Sequence, residues 1–324
     1  MNNQHIIDRV YFDGGNRAGK IKEGIDVPVV RRSCIAWVKG DLPKGTFESP
    51  VATFREFGGK SKSCVVGRLA QMRSGQNTFS YDKVDLLKYF LLASLTPRPA
   101  TYIRELCIAT PLLLSGDRKQ ILHNLIGTHE YVCNGIQCLV TIESVKTVDE
   151  AVGAYWYAVE RGLYQDLSYS NGVLDVGGLN IHAFAFDPDG NKLDISFQND
   201  LGTIALAKKI VKHPYVKQQI STALDISIVM DAIEDRSFMV RDKANFRQIF
   251  GECVDEWINE ISASIKDAWL AAPNLGNFMM VGGSAPLLKS YEIRTGGRFF
   301  LPPSNDDCFI DPQLVALLGM EYVR

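Results

Sequence analysis

Residues 171–187 read NGVLDVGGLNIHAFAFD, and residues 10–21 read VYFDGGNRAGKI. Each is an apolar run with an aspartate near its end, then a glycine pair, a polar amide and a second run. β-branched and aromatic residues broken by glycine are the pattern of two strands joined by a tight turn. In the earlier copy, Val10 leads to Asp13, Gly14, Gly15 and Asn16, with Lys20 where the next strand can begin. In the later copy, a strand from Val173 to Val176 carries Asp175 and runs into Gly177, Gly178 and Asn180. Glycine turns let backbone N–H groups approach phosphate oxygens, Lys20 can add charge, and Asp13 can hold the water shell of a Mg ion. Asp-Gly and Gly-Asn are also ordinary hairpin residues, so either stretch alone fits a bland turn as well, with His182 as a packing residue.

Around the first turn, residues 29–38, 51–57 and 63–67 read as short strands. In YDKVDLLKYFLLASL (residues 81–95), apolar residues recur at three- and four-residue steps, with Pro97 and Pro99 soon after, which predicts a helix. A strand over 102–110, a helix over 117–126 and a strand over 136–142 complete a layered α/β pattern. From Leu174 a similar order restarts: strand, glycine turn, strand, a turn at Pro188-Asp189-Gly190, and a strand toward Phe197. Residues 244–270 carry an apolar stripe (Phe246, Ile249, Phe250, Cys253, Trp257, Ile258) that predicts a helix of roughly 40 Å. A last helix is expected over 312–322.

A third glycine turn lies in MMVGGSAPLL (residues 279–288), where Gly282 and Gly283 leave an apolar strand and Ser284 starts a short helix. Missing side chains would let a base or ribose lie against the backbone, and the helix start would offer free N–H groups; a plain strand-to-helix turn has the same letters. Between the first two turns, TVDEAVGAYWYAVERG (residues 147–162) predicts a helix whose first turn holds Asp149 and Glu150. Thr147 and Glu150 match a capping box. A carboxylate at that end can also orient an attacking water.

Composition narrows the function classes. At 324 residues and 36.0 kDa, the chain exceeds what one core usually serves, so two domains are expected. A net charge of -2 gives no general attraction to nucleic acid or anionic membranes. Seven scattered cysteines without a C-x-x-C pair suggest neither a disulfide framework nor a zinc site, and five dispersed histidines add no ligand spacing. No run approaches the ~20 apolar residues of a spanning helix, and the first ten residues lack a signal-peptide core. Reduced thiols and a cytoplasmic location are the expectation.

The order of these sites, more than any one of them, resembles the actin-like ATPases, and among them the bacterial ParM-type plasmid-segregation proteins. The family's first phosphate loop is met by Asp13, Gly15 and Lys20, its second by Asp175, Gly177 and Gly178, and its adenosine motif by Gly282 and Gly283. The family's glutamate at the start of the linking helix falls on Glu150. Supporting marks are CVVGRLAQ (64–71), NDLGTIALAKKI (199–210) and DPQLVALLGMEYV (311–323). Asn180 and His182 depart from the Thr and Asp that many relatives carry after the second glycine pair, which bears on metal and phosphate contacts there.

The resemblance implies an α/β actin-like fold, two RNase-H-like domains around a central nucleotide cleft, with residues 1–160 and 309–324 in one and 161–308 in the other. It implies ATP or GTP with Mg as cofactors. Asp13 and Asp175 would organise Mg through water, and the glycine turns and Lys20 would bind phosphates. Gly282, Gly283 and Ser284 would hold the nucleoside, and Glu150 would align the nucleophilic water. As partners it implies other copies of the chain in a homopolymer filament and a DNA-binding adaptor, with no direct nucleic-acid or membrane contact. Two alternatives share part of the pattern. A P-loop NTPase would use Gly14, Gly19 and Lys20, but needs Ser or Thr at Ile21 and a following helix. A sugar or small-metabolite kinase of the same superfamily would need a carboxylate base beside a sugar pocket, for which the sequence has no clear candidate.

Overall fold

The structure is a computed structural model that describes residues 4–15, 17–55, 59–73, 76–77, 83–110, 116–195, 197–220, 224–240, 244–269, 274–305, 308–309 and 311–323. The chain divides into two compact units, Met1–Ala154 with Ala316–Arg324, and Tyr155–Val315.

Unit 1 begins with β1 (His5–Gly14), β2 (Ala18–Glu23) and β3 (Val29–Arg32), an antiparallel meander. Next come β4 (Cys34–Val38), β5 (Val51–Arg55), β6 (Ser61–Val66), α1 (Arg68–Met72), β7 (Gln76–Asn77) and α2 (Lys83–Ser94). Then follow β8 (Ala100–Thr110), α3 (Gly116–His123), β9 (Gly127–Cys133), β10 (Ile136–Asp149) and α4 (Glu150–Glu160), which carries the chain into unit 2. Ten strands form one sheet in the order β3-β2-β1-β8-β10-β9-β5-β6-β4-β7, with β1, β8 and β10 mutually parallel.

That sheet cannot be flat. A single residue, Ser33, separates β3 from β4, although they are first and ninth in the sheet order. The strands curl around α2, in which Phe90, Leu91, Leu92 and Ala93 are consecutive and all 0% exposed. Four consecutive buried residues mean that more than one side of this part of the helix is covered, so its periodicity in the sequence is a weaker guide to its position than its apolar composition. Residues from both arms of the sheet, among them Phe12, Ile35, Phe54 and Ile142, join α2 in one apolar cluster. The parallel centre is buried on both faces, as expected where elements cover both sides: Tyr11, Cys107, Ala109 and Val148 face Leu317 and Met320, which belong to the C-terminal segment.

Unit 2 contains β11 (Ser170–Val176), β12 (Ile181–Phe186), β13 (Phe197–Asn199), α5 (Thr203–Lys212), α6 (Pro214–Gln219) and α7 (Ile226–Glu234). After the paired β14 (Met239–Val240) and β15 (Ala244–Asn245) come α8 (Arg247–Trp269), β16 (Leu275–Val281), α9 (Lys289–Arg294) and β17 (Phe299–Phe300). A small β18 (Ser304–Asn305) and β19 (Cys308–Phe309) pair precedes α10 (Val315–Gly319). The five-stranded sheet runs β13-β12-β11-β16-β17. Its first two pairings are antiparallel and its last two parallel. Unit 1 repeats that order and those senses in β3-β2-β1-β8-β10. One core motif is therefore used twice.

Several boundaries differ from the sequence expectation, each for a local reason. The strand expected over 136–142 continues to Asp149, because the parallel ladder with β8 persists to the Thr110 and Asp149 pair. Asp149 thus ends a strand and does not sit in the first helical turn, and Thr147, paired with Ile108, is no helix cap. The helix expected from 244 starts at Arg247; Ala244 and Asn245 pair with β14, and Asn245 Oδ1 accepts the Arg247 N–H at 2.9 Å. The last helix begins at Val315 and not at 312, since Asp311 first closes a turn by accepting from Gln313 and Leu314. Among the described residues, six cysteines are buried free thiols and no helix is long and apolar enough to cross a membrane.

Candidate functional site

In unit 1, β1 delivers Asp13 to its C-terminal end, 6% exposed. Antiparallel register puts Lys20 of β2 directly opposite, and Lys20 Nζ donates to Asp13 Oδ2 at 2.6 Å. The two side chains are 12% and 9% exposed, so this is a nearly buried ion pair, held in one geometry by its low-dielectric surroundings. The turn beside it is tight: a Cβ on Gly15 would lie 2.7 Å from Ala18 O. Ser33, 2% exposed, fastens the turn from the β3–β4 junction, its Oγ donating to Gly15 O at 2.6 Å and its N–H to Arg17 O at 3.1 Å. Asn16 lies outside the described residues.

Asp13 is level with Ala109 of β8, and Ala109 with Val148 of β10, so the end of β1 and the start of α4 meet at one edge of the parallel strands. Glu150, the first helical residue of α4, is half-buried there. Gly153 lets α4 press against the C-terminal segment, since a Cβ at that position would lie 2.2 Å from Ala316 O. Lys22 pairs with Glu321, and Lys146 Nζ donates to Val323 O at 3.2 Å; both ties hold that segment against the sheet. β2 occupies the place where a P-loop protein would have a helix, which removes that alternative.

In unit 2, Asp175 stands at the equivalent point of β11, opposite His182 on β12 and beside Val281 on β16. The second and third glycine turns come together here. Gly282 has φ +95°, and a Cβ on it would lie 2.4 Å from Asp175 Oδ1 and 2.6 Å from Val176 O. Ser284 N–H donates to Val176 O at 3.1 Å. Gly283 is different: the nearest atom a Cβ would meet is Gln313 Oε1, at 4.0 Å. Space is open above Gly283, while Gly282 is required by the fold itself.

Ser284 does not serve the short helix as the sequence suggests. Its hydroxyl hydrogen-bonds Thr203 Oγ1. The following N–H groups are also committed: Ala285 donates to Gly282 O, Leu287 donates to Ser284 O, and Pro286 has none. Free donors at that helix start are therefore not what the third turn offers.

The 177–180 turn is clamped by the start of α5. The N–H groups of Gly202, Thr203 and Ile204 donate to the carbonyls of Leu179, Gly177 and Gly178 at 3.1, 3.1 and 2.8 Å. Gly177 N–H closes the turn on Asn180 O at 3.0 Å. Among the described residues, the N–H groups of Gly178, Leu179 and Asn180 have no hydrogen-bond partner. Gly202 is required for the clamp, because a Cβ there would lie 2.3 Å from Leu179 C. Gly202, Thr203 and Ser33 were not singled out in the sequence; the only available signal was the NDLGT stretch before an apolar helix.

No group of three His, Cys, Asp or Glu residues able to hold a metal exists among the described residues. Among the described residues the donor set does not fit an all-protein metal cage.

No family model matches the chain, and no curated protein does. Solved structures do. The archaeal actin homologue Ta0583 in complex with ADP matches with TM-score 0.74 and 17% identity, over 97% of this chain and 97% of that one. A ParM filament structure from Clostridium botulinum, described as 15-stranded, matches with TM-score 0.73 and 16% identity, over 96% and 97%. Bacillus thuringiensis ParM with AMPPNP matches with TM-score 0.67 and 16% identity, over 98% and 97%. The chain has the mixed α/β actin-like fold.

Proposed function

We propose that this chain is a nucleotide-dependent, filament-forming actin-like ATPase that hydrolyses ATP or GTP and moves or segregates plasmid or other DNA through an adaptor protein. The observation that carries the reading is the unit 2 turn, whose carbonyls are taken up by α5 while three successive N–H groups are left for an anion. Its unit 1 counterpart, at the equivalent strand end, carries the buried Asp13–Lys20 pair. Likeness to structures holding ADP and AMPPNP, and to a ParM filament, supports the same assignment.

In this reading the turns of each unit bind nucleotide. Gly14, Gly15, Asn16 and Lys20 bind phosphates from unit 1, and Gly177, Gly178 and Asn180 bind them from unit 2. Gly282 and Gly283, beside Ser284, carry the nucleoside, with the open space at Gly283 facing it. Asp13 holds the Lys20 ammonium in place. Glu150 holds a water in line with the terminal phosphate. Phosphoryl transfer asks little more of a protein than such positioning and charge stabilisation. Bound Mg would neutralise phosphate charge, with Asp13 and Asp175 accepting hydrogen bonds from its waters. Filaments assemble with nucleotide bound and weaken after hydrolysis, and the net charge of -2 agrees with DNA being reached through an adaptor.

Phosphate release and pelleting of the purified protein with ATP or GTP test the reading together. Release without any sugar, with nucleotide-dependent sedimentation, is expected. Turnover only with an added sugar, and no pelleting, would instead assign a metabolite kinase.

A further inference from the structure

We infer that Thr203, in the first turn of α5, is a positioning residue that sets the direction of the Gly178, Leu179 and Asn180 amides and locks them to the Gly282–Ser284 turn. The inference rests on the nucleotide reading above and deepens it. The described peptide bonds include no cis bond, and in a trans peptide the C=O and the next N–H point in opposite directions. Drawing the carbonyls of Gly177, Gly178 and Leu179 onto the α5 start therefore turns the N–H groups of Gly178, Leu179 and Asn180 away from it. The helix end never touches the anion; it acts through three intervening peptides.

Backbone donors alone would supply that clamp from any residue at 203. Thr203 adds a side chain that no other residue type but Ser replaces. Its Oγ1 lies 3.3 Å from Gly177 O, reinforcing the N–H bond to the same carbonyl, and it also shares a hydrogen bond with Ser284 Oγ. Thr203 and Ser284 are 5% and 9% exposed, so water does not substitute for either partner. Ser284 in turn holds Val176 O through its own N–H. One hydroxyl thus fixes the phosphate-facing turn and the nucleoside-facing turn in one register. The start of α5 is itself braced from behind by Trp257, whose Nε1 donates to Leu201 O at 2.7 Å, and by Asn199 Oδ1, which accepts the Leu201 N–H at 3.1 Å.

Calorimetric titration of ADP into the full chain tests this with Thr203→Val, Thr203→Ser and Ser284→Ala, each checked for folding by thermal unfolding. Thr203→Val keeps the shape and the backbone bond but loses the hydroxyl, and its ADP Kd should rise about tenfold, the equivalent of one buried hydrogen bond. Thr203→Ser should stay within about twofold of the parent. If Thr203→Val does not fold, Ser284→Ala carries the test, with an expected rise of at least about threefold. Parent-like binding by Thr203→Val, or by Ser284→Ala in its place, overturns the inference, as does a Thr203→Ser loss equal to that of Thr203→Val. Failure of the parent itself to bind ADP would overturn the nucleotide reading and this inference with it.

Discussion

Gly282 and Gly283 are neighbours in sequence and answer to different constraints. Gly282 combines φ +95° with a Cβ position 2.4 Å from the Asp175 carboxylate, so Gly282→Ala should destabilise the protein by about 3 kcal/mol, read as a fall in Tm. Gly283 has room for a methyl group, so Gly283→Ala should leave stability within about 0.5 kcal/mol while weakening ADP binding about tenfold. Equal effects of the two would contradict the assignment. Glu150 heads α4 without the Thr147 cap that the letters suggested. Glu150→Ala should slow phosphate release about a hundredfold with ADP binding retained, and an unchanged rate would leave it a structural residue only. The hairpin that carries Asp13 and Lys20 was legible, but the register that sets the two opposite each other was not. The Ser284 and Thr203 bond was not, because the partners lie far apart in sequence and meet only once β16 and α5 have packed.

At the scale of elements, α8 shows how a distant helix supports the site. Its buried stripe was readable from periodicity, and Trp257 was already within it. What the pattern could not show is that the Trp257 indole N–H ends on Leu201 O, two residues before α5. Trp257→Phe should cost about 2 kcal/mol of stability, since it opens a gap and leaves the part-buried Leu201 carbonyl without its donor. An unchanged Tm would mean that α5 is held by its other contacts alone. α2 illustrates the opposite limit. Its helical character was evident, but the burial of Phe90, Leu91, Leu92 and Ala93 together follows from β3 and β4 being one residue apart at distant places in the same sheet, a tertiary fact with no local signature.

Over the whole molecule, the legible feature was duplication. Two aspartate–glycine hairpins pointed to a second, similar half, and the structure shows one five-stranded order and set of senses in both sheets. The additional strands β9, β5, β6, β4 and β7 of unit 1 have no counterpart in the second sheet; β5 and β6 were visible as short strands, β4 was read as one strand with β3 over 29–38, and β9 and β7 were not read from the sequence. Electron microscopy with and without nucleotide addresses the assembly proposal: filaments should appear with ATP or GTP, and their absence under both conditions would remove the filament while leaving nucleotide binding to be judged separately. For that judgement, the most direct measurement is a crystal structure of the chain with ADP and Mg. The ADP phosphates should lie within hydrogen-bond reach of the Gly178 N–H, with the nucleoside against Gly283. ADP contacting neither of these two turns would contradict the assignment.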